Sequence, residues 1–104
     1  MNILPETRKG VENMRFTLGQ VFMTRGISQA ISTDLRYHYE IQGYLHRYIN
    51  GDYGDLCEED LKANEDAIEY EMRILARYET SKGDIYIITE ADRSCTTIMF
   101  CDEY

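Results

Sequence analysis

Hydrophobic residues in the first half of the chain recur with the period of an α-helix. Five of them are spaced i, i+3, i+4, i+7 and i+8 and so share one helix face: Ile41, Tyr44, Leu45, Tyr48 and Ile49. The spacing predicts a helix over residues 35–49, and Asn50 and Gly51 are typical of its C-terminal end. A shorter helix is predicted just before it, over residues 28–33.

A third helix is predicted over residues 56–70, after the glycine-containing loop GDYGD. Asp55 is typical of an N-cap residue, and Glu58 occupies the position from which a capping-box side chain reaches back. An inner stripe is spaced i, i+4, i+7 and i+11: Cys57, Leu61, Asn64 and Ile68. We expect the Asn64 amide to be buried and to bond backbone groups of the glycine loop.

The last third of the chain alternates with a period of two, which is typical of strands. Residues 72–80 and 84–90 are predicted to form a hairpin around the connection SKGD. A turn over residues 91–94 leads into a strand over residues 95–101, which is rich in β-branched and aromatic side chains. A first strand is predicted over residues 16–24, because this segment contains the apolar run VFM.

The order β-α-α-α-β-β-β indicates an α+β domain with a four-stranded antiparallel sheet that is covered on one face by helices. The domain is expected to span residues 16–104. Residues 1–15 contain Pro5 and Gly10 and show no period, so we interpret them as a flexible N-terminal arm. A chain of 104 residues buries about two thirds of its unfolded surface, enough to fold without a metal ion or a disulfide.

The net charge of −8 is concentrated in the second half of the chain. Residues 1–52 carry six Lys/Arg and five Asp/Glu, whereas residues 53–104 carry five and fourteen. Binding to a phosphate backbone needs clustered Lys/Arg, so this balance argues against direct nucleic-acid binding. It favours a basic protein as partner, with solubility of the chain as the alternative explanation.

No apolar run approaches the ~20 residues that cross a bilayer, and the first residues lack the apolar core of a secretion signal. We therefore expect a cytoplasmic protein with no membrane partner. The three cysteines form no C-x-x-C pair, which is typical of reduced thiols in a reducing compartment.

The outer face of the third helix carries the densest charge in the sequence. Lys62 is the only basic residue on this face. We call the carboxylates of this face the anionic ridge: Glu58, Glu59, Glu65, Asp66 and Glu69. We predict that this ridge binds the basic surface of a partner. Two loop segments are further candidate partner-binding sites and contain Asp52, Tyr53, Asp55, Glu90, Asp92 and Arg93.

Nine tyrosines and no tryptophan give the chain aromatic side chains with polar tips. Four of them are candidates for a partner-binding surface, with core packing as the alternative for each: Tyr37, Tyr39, Tyr53 and Tyr86. Tyr44 and Tyr48 are expected in the core.

A metal site is an alternative use of the loop carboxylates. Four of them offer the oxygen ligands that Mg²⁺ prefers: Asp52, Asp55, Glu90 and Asp92. The structural alternative is that Asp55 caps a helix and that Asp92 forms an Asx turn with an ion pair to Arg93. No P-loop, dinucleotide fingerprint, zinc spacing or HExxH motif occurs, so no cofactor is expected.

The segments NGDYGDLCEEDLKAN, RILARYET and IYIITEADRSCTTIMFCDEY resemble a family of small bacterial proteins found on plasmids, phages and other mobile elements. Members of that family show a pattern like SGDWGDL, then ED and N, and later IWIITEADRS-TTILLPEEY. The residues on the pattern are Asp52, Gly54, Asp55, Asn64, Glu90, Asp92, Arg93, Thr96 and Thr97. Tyr53 and Tyr86 stand where the family has tryptophans.

The resemblance implies an anti-defence protein, since small proteins of this kind travel with anti-restriction and anti-CRISPR genes. Some look like inhibitors of type II CRISPR effectors, which hold nucleic acid in positively charged channels. We therefore expect inhibition of a host nuclease, either such an effector or a restriction enzyme, by binding and without catalysis. The alternatives are a metal-dependent nuclease or hydrolase and an acidic regulatory or antitoxin-like module. A homodimer through an edge strand and exposed tyrosines is a further expectation.

Overall fold

The computed structural model describes residues 16–104, and the predicted N-terminal arm lies outside them. The strands are β1 (Gln20–Met23), β2 (Ile74–Thr80), β3 (Gly83–Thr89) and β4 (Cys95–Phe100). The helices are α1 (Arg25–Thr33), α2 (Leu35–Ile49) and α3 (Glu58–Glu69), and a short 3₁₀ helix, Cys101–Glu103, follows β4. The predicted α+β class and the order of elements up to β4 are therefore confirmed.

The four strands form one sheet in the order β1-β4-β3-β2. The pairs β2–β3 and β3–β4 are antiparallel, but β1 runs parallel to β4, so the prediction of a wholly antiparallel sheet is wrong. Short turns join β2, β3 and β4, and such turns force neighbouring strands to be antiparallel. Three helices separate β1 from the other strands, and a long connection of this kind permits parallel pairing.

One face of the sheet supplies most of the core. Alternate side chains of three strands are buried on this face: Ile74, Ala76, Tyr78, Ile85, Ile87, Thr89, Thr96 and Ile98. They pack against α1 through Ile27 and against α2 through Tyr37, Ile41 and Tyr48. The predicted periodic face of α2 is thus confirmed, and its N-cap is Asp34, whose carboxylate accepts from two backbone N–H groups.

Candidate partner-binding surface

The anionic ridge lies on the solvent side of α3. At about 100° per residue, its five carboxylates and Lys62 fall within an arc of about 120°, opposite Asn64. All five acidic side chains are exposed, whereas Asn64 is 4% exposed. The ridge runs about 16 Å along the helix, from Glu58 to Glu69.

Most of the ridge carboxylates have no basic partner among the described residues. Helix α3 contains six Asp/Glu and one Lys, a net charge of −5. Within residues 16–104, four ridge carboxylates form no ion pair: Glu58, Glu59, Asp66 and Glu69. These four carboxylates therefore present unpaired negative charge to solvent.

The inner side of α3 is fixed to β2 and to the turn between β3 and β4. The Asn64 amide bonds both backbone polar groups of Leu75, which confirms its burial but places its partner on β2 instead of the glycine loop. Arg93 donates to the carbonyl of Ala67, which is buried near the C-terminal end of the helix. These contacts set the rotation of α3, so that the ridge faces away from the sheet.

The start of α3 differs from the prediction. The helix begins at Glu58 with Cys57 as N-cap residue, and no side chain bonds the cap, so the predicted Asp55 cap and capping box are wrong. Asp55 instead donates its backbone N–H to the Arg77 carbonyl at 2.7 Å. Cys57 is exposed and does not belong to an inner stripe.

The glycine loop pairs with the outer edge of β2 as a short strand would. The Arg77 N–H donates to the Tyr53 carbonyl at 3.2 Å, and Gly54 forms a parallel bridge with Arg77. Gly54 has φ +73°, and a Cβ on it would overlap the Arg77 carbonyl oxygen, so only glycine fits. This long-range pairing fixes the backbone of Asp55, an exposed residue three positions before the start of α3.

Asp52 organises the loop. Its carboxylate accepts from Arg47 Nε at 2.7 Å and from the Gly54 N–H at 3.1 Å. The hydrogen bond from Arg47 holds the pKa of Asp52 below its usual value. The Arg47 guanidinium also lies over the ring of Tyr78 at 5.2 Å. The charge of Asp52 is therefore compensated locally and adds little to the ridge.

The candidate tyrosines divide between core and surface. Tyr37 and Tyr53 are 1% and 3% exposed, so the core-packing alternative holds for both. The Tyr53 ring packs edge-on against Tyr48, with the ring centroids 6.0 Å apart. Tyr39 is 63% exposed, whereas Tyr86 is partly buried and its ring contacts that of Tyr104 edge-on, with the centroids 5.5 Å apart. Tyr39 is thus the one candidate tyrosine in the described residues with most of its side chain in solvent.

In the turn between β3 and β4, Glu90 lies 3.7 Å from Arg73, and the Asp92 carboxylate accepts from the Ser94 N–H at 2.9 Å. This bond forms the predicted Asx turn. Hydrogen bonds from Ser94 also lower the pKa of Asp92. The predicted ion pair between Asp92 and Arg93 is wrong.

Arg93 has a structural role that the sequence did not indicate. Its guanidinium donates to four backbone carbonyls at 2.6–3.1 Å: those of Ala67, Met72, Glu90 and Ala91. The backbone of Arg93 has φ +61°, which turns the side chain back toward α3. Arg93 therefore joins α3, the segment before β2 and the turn.

The structure does not assemble a metal site from the carboxylates considered for one: Asp52, Asp55, Glu90 and Asp92. The loop bridge lies at Arg77, which is opposite Tyr86 on β3. Glu90 follows Tyr86 by four residues, about 13 Å along a strand. In residues 16–104, no three His, Cys, Asp or Glu side chains are placed to hold a metal ion.

The structure thus places the ridge on the exposed face of α3, and contacts of Asp52, Tyr53 and Arg93 hold the glycine loop and α3 in place. The exposed apolar edge at Val21, Phe22 and Met23 was not predicted as a site, although the continuous run VFM signals it.

None of the helices within residues 16–104 is long and apolar enough to cross a membrane. Comparison of the chain with protein-family models, curated proteins and solved structures gave no match.

Proposed function

We propose that this chain is an anti-defence protein of a mobile element, which acts in the cytoplasm of a bacterial host and binds the basic nucleic-acid surface of a nuclease. The observation that carries the proposal is the anionic ridge, a row of exposed and largely unpaired carboxylates on a helix held rigidly to the sheet. The resemblance to proteins of mobile elements supports the same function. No catalytic step is part of the proposal.

The placement of the ridge charges supports a role in binding beyond helix stability. Glu58 and Glu59 lie at the positive end of the helix dipole, where carboxylates are favourable. Glu69 lies at the negative end, and it follows Glu65 at i+4, where like charges destabilise a helix by about 0.2–0.5 kcal/mol. A helix selected only for stability would carry Lys or Arg in its last turn, and α3 has none.

The ridge matches the chemistry of a channel that binds nucleic acid. Such channels cluster Lys and Arg to neutralise phosphates, so they attract any rigid row of anionic groups. Charge complementarity of this kind raises the association rate. Once the ridge is bound in the channel, nucleic acid cannot enter it. The chain would therefore inhibit by occupying the channel, and bound nucleic acid would compete with it.

The test uses two nucleases: a type II CRISPR effector loaded with guide RNA, and a restriction enzyme. Inhibition of DNA cleavage is measured with the wild-type chain and with two charge-reversal variants. The ridge variant is Glu59→Lys/Asp66→Lys. The matched control, Glu79→Lys/Asp102→Lys, makes the same change in net charge at exposed positions outside the ridge.

We expect the wild type and the control to inhibit one of the two nucleases, and the ridge variant to lose at least tenfold in potency. Equal losses in both variants would show that net charge, and not the ridge, is responsible. Failure of the wild type to inhibit either nuclease would refute the anti-defence function. Binding of a basic toxin by the same surface would then favour the antitoxin-like alternative.

A further inference from the structure

Within residues 16–104, the outer edge of β1 pairs with no other strand. In its parallel pair with β4, the even-numbered residues Gln20 and Phe22 bond β4, as the Gln20 N–H to Ser94 carbonyl bond of 3.1 Å shows. The N–H and C=O groups of Val21 and Met23 therefore point away from the sheet. No residue in the described range bonds them.

The other edge of the sheet is closed. On β2, the outward groups of Leu75 are bonded by a side chain of α3, and those of Arg77 are bonded by the glycine loop. Exposed strand edges pair with other strands unless something covers them. In the part of the chain that the structure describes, the β2 edge is thus covered and the β1 edge is unpaired.

Three of the four β1 side chains are apolar, and all four are exposed. Val21, Phe22 and Met23 are 40%, 50% and 42% exposed. A cavity of about 150 Å³ lies behind the strand, between β1 and the helices, and Ile31 and Leu45 are among its apolar lining residues. A strand added at β1 would cover part of the exposed apolar surface of these side chains.

The charge distribution favours a second copy of this chain as the partner that pairs with the β1 edge. Residues 16–24 contain no charged side chain, although the protein has a net charge of −8. The anionic ridge lies beyond β2, at the opposite edge of the sheet. Two copies that meet at β1 therefore approach each other through the one edge where their repulsion is smallest.

We propose that the protein forms a symmetric dimer in which the β1 strands of two copies pair antiparallel. A two-fold axis at Phe22 places Val21 of each copy opposite Met23 of the other and satisfies all four outward N–H groups. The product is a continuous eight-stranded sheet with both helical layers on one face. The two β2 strands then lie about 34 Å apart with the ridges beyond them, a separation that exceeds the Debye length of about 8 Å at physiological salt.

The first test measures the mass of the full chain by sedimentation equilibrium over a range of concentrations. The wild type should approach twice its 12.2 kDa mass as concentration rises. Val21→Pro removes a donor that points outward and no bond to β4, so it should give a folded monomer. Val21→Ala retains the donor and is the matched control, which should still dimerise.

A monomer at every concentration would refute the proposal. A dimer that persists in a folded Val21→Pro variant would also refute it, because the copies would then meet at another surface. Neither result depends on a nuclease, so the dimer and the proposed function fail or succeed separately.

The second test fixes the register by disulfide formation in a Cys57→Ser background, which removes the exposed native thiol. Opposed Phe22 residues should have Cα atoms about 4.5 Å apart, within the range that a disulfide spans. Phe22→Cys should therefore cross-link on mild oxidation, at least tenfold faster than Val21→Cys, whose Cα atoms should lie more than about 8 Å apart. Equal rates in the two variants would overturn the proposed pairing.

Discussion

The side-chain amide of Asn64 bonds the backbone of Leu75 as a neighbouring β-strand would. Its oxygen accepts from the Leu75 N–H at 3.1 Å, and its nitrogen donates to the Leu75 carbonyl at 2.6 Å. Two residues along β2, Arg77 is bonded in the same way by the backbone of the glycine loop. One residue of α3 thus closes part of a sheet edge and fixes the orientation of the helix that carries the ridge.

Replacement of Asn64 by Ala should therefore destabilise the fold strongly. The change leaves both polar groups of Leu75 without partners in a partly buried position, and each unsatisfied group costs about 1–3 kcal/mol. We expect the free energy of unfolding in urea to fall by about 2–4 kcal/mol. Lys62→Ala, on the exposed face of the same helix, is the control and should change it by less than about 0.5 kcal/mol. Similar stabilities of the two variants would contradict a structural role for the amide.

Local patterns predicted the elements of this fold better than the contacts between them. The period of α2 and the alternation in β3 follow from side-chain spacing, which is visible in the sequence. The Asp55 cap was wrong because the bridge between Gly54 and Arg77 overrides a favourable local cap. That contact joins residues 23 positions apart, and no local pattern encodes it.

The candidate site was predictable to the same extent. Helical periodicity alone places the five ridge carboxylates on one face, and the structure gives all of them exposed side chains. The role of Arg93 was not predictable, because its carbonyl partners come from α3, from the segment before β2 and from the turn itself. Similarly, only the sheet order shows that β1 is an edge strand.

A buried chain of hydroxyl groups supports a second prediction. Thr96 donates to the Leu18 carbonyl at 2.8 Å, so Thr89 must donate to Thr96 at 2.7 Å and accept from Tyr48 at 2.7 Å. Burial raises the pKa of Tyr48, so its hydroxyl remains a donor at neutral pH. Thr89→Val removes the donor to Thr96 and leaves the Tyr48 hydroxyl only the longer bond to the Ile74 carbonyl at 3.4 Å.

We expect Thr89→Val to lower the free energy of unfolding by about 1–3 kcal/mol. Thr97→Val is the matched control, because Thr97 lies on the opposite face of β4, where its side chain is partly exposed. The control should be close to neutral in thermal and urea unfolding. Equal effects of the two substitutions would show that the hydroxyl chain contributes little to stability.

A third prediction concerns Arg93. Lysine retains the charge but lacks the planar set of five donors, so it cannot bond four carbonyls at once. Arg93→Lys should lower the free energy of unfolding by about 1.5–3 kcal/mol, the range for hydrogen bonds to charged groups. Arg36→Lys, at an exposed position on α2, serves as the control and should be near neutral. If Arg93 instead contacted a partner, its substitution would reduce binding and leave unfolding unchanged.

The C-terminal segment gives a prediction about pH. The Glu103 carboxylate accepts from the Thr24 hydroxyl at 2.6 Å and from the Gly26 N–H at 3.1 Å, so it caps α1 from the other end of the chain. The hydrogen bond from Thr24 is the main reason that the pKa of Glu103 lies below its usual value. A depressed pKa in the folded state stabilises the fold above the unfolded value of about 4.3, and this stabilisation is lost as pH falls through the lower, folded pKa.

Glu103→Gln should therefore be less stable than the wild type at pH 7, and the difference should shrink as the pH falls below about 4. The measurement is urea unfolding of both proteins at several pH values. Glu79→Gln removes an exposed carboxylate with no side-chain hydrogen bond in the described residues and should leave the stability at pH 7 unchanged. A difference between the Glu103→Gln variant and the wild type that stays constant with pH would argue against the charged cap.

The last prediction concerns the salt dependence of inhibition by the anionic ridge. The ridge charges are exposed, so their attraction to a basic channel acts through solvent and is screened by ions. The Debye length falls from about 10 Å at 0.1 M salt to about 3 Å at 1 M, which removes most long-range steering. We expect association with the inhibited nuclease to slow at least tenfold between these salt concentrations, as measured by stopped-flow fluorescence.

Replacement of all five ridge carboxylates by their amides should slow association at low salt and abolish most of the salt dependence, because the steering charges are then absent. The fold should tolerate this change, since Asn64 and Arg93 fix α3 from its inner side. An association rate that is equally sensitive to salt with and without the ridge charges would assign the steering to another surface.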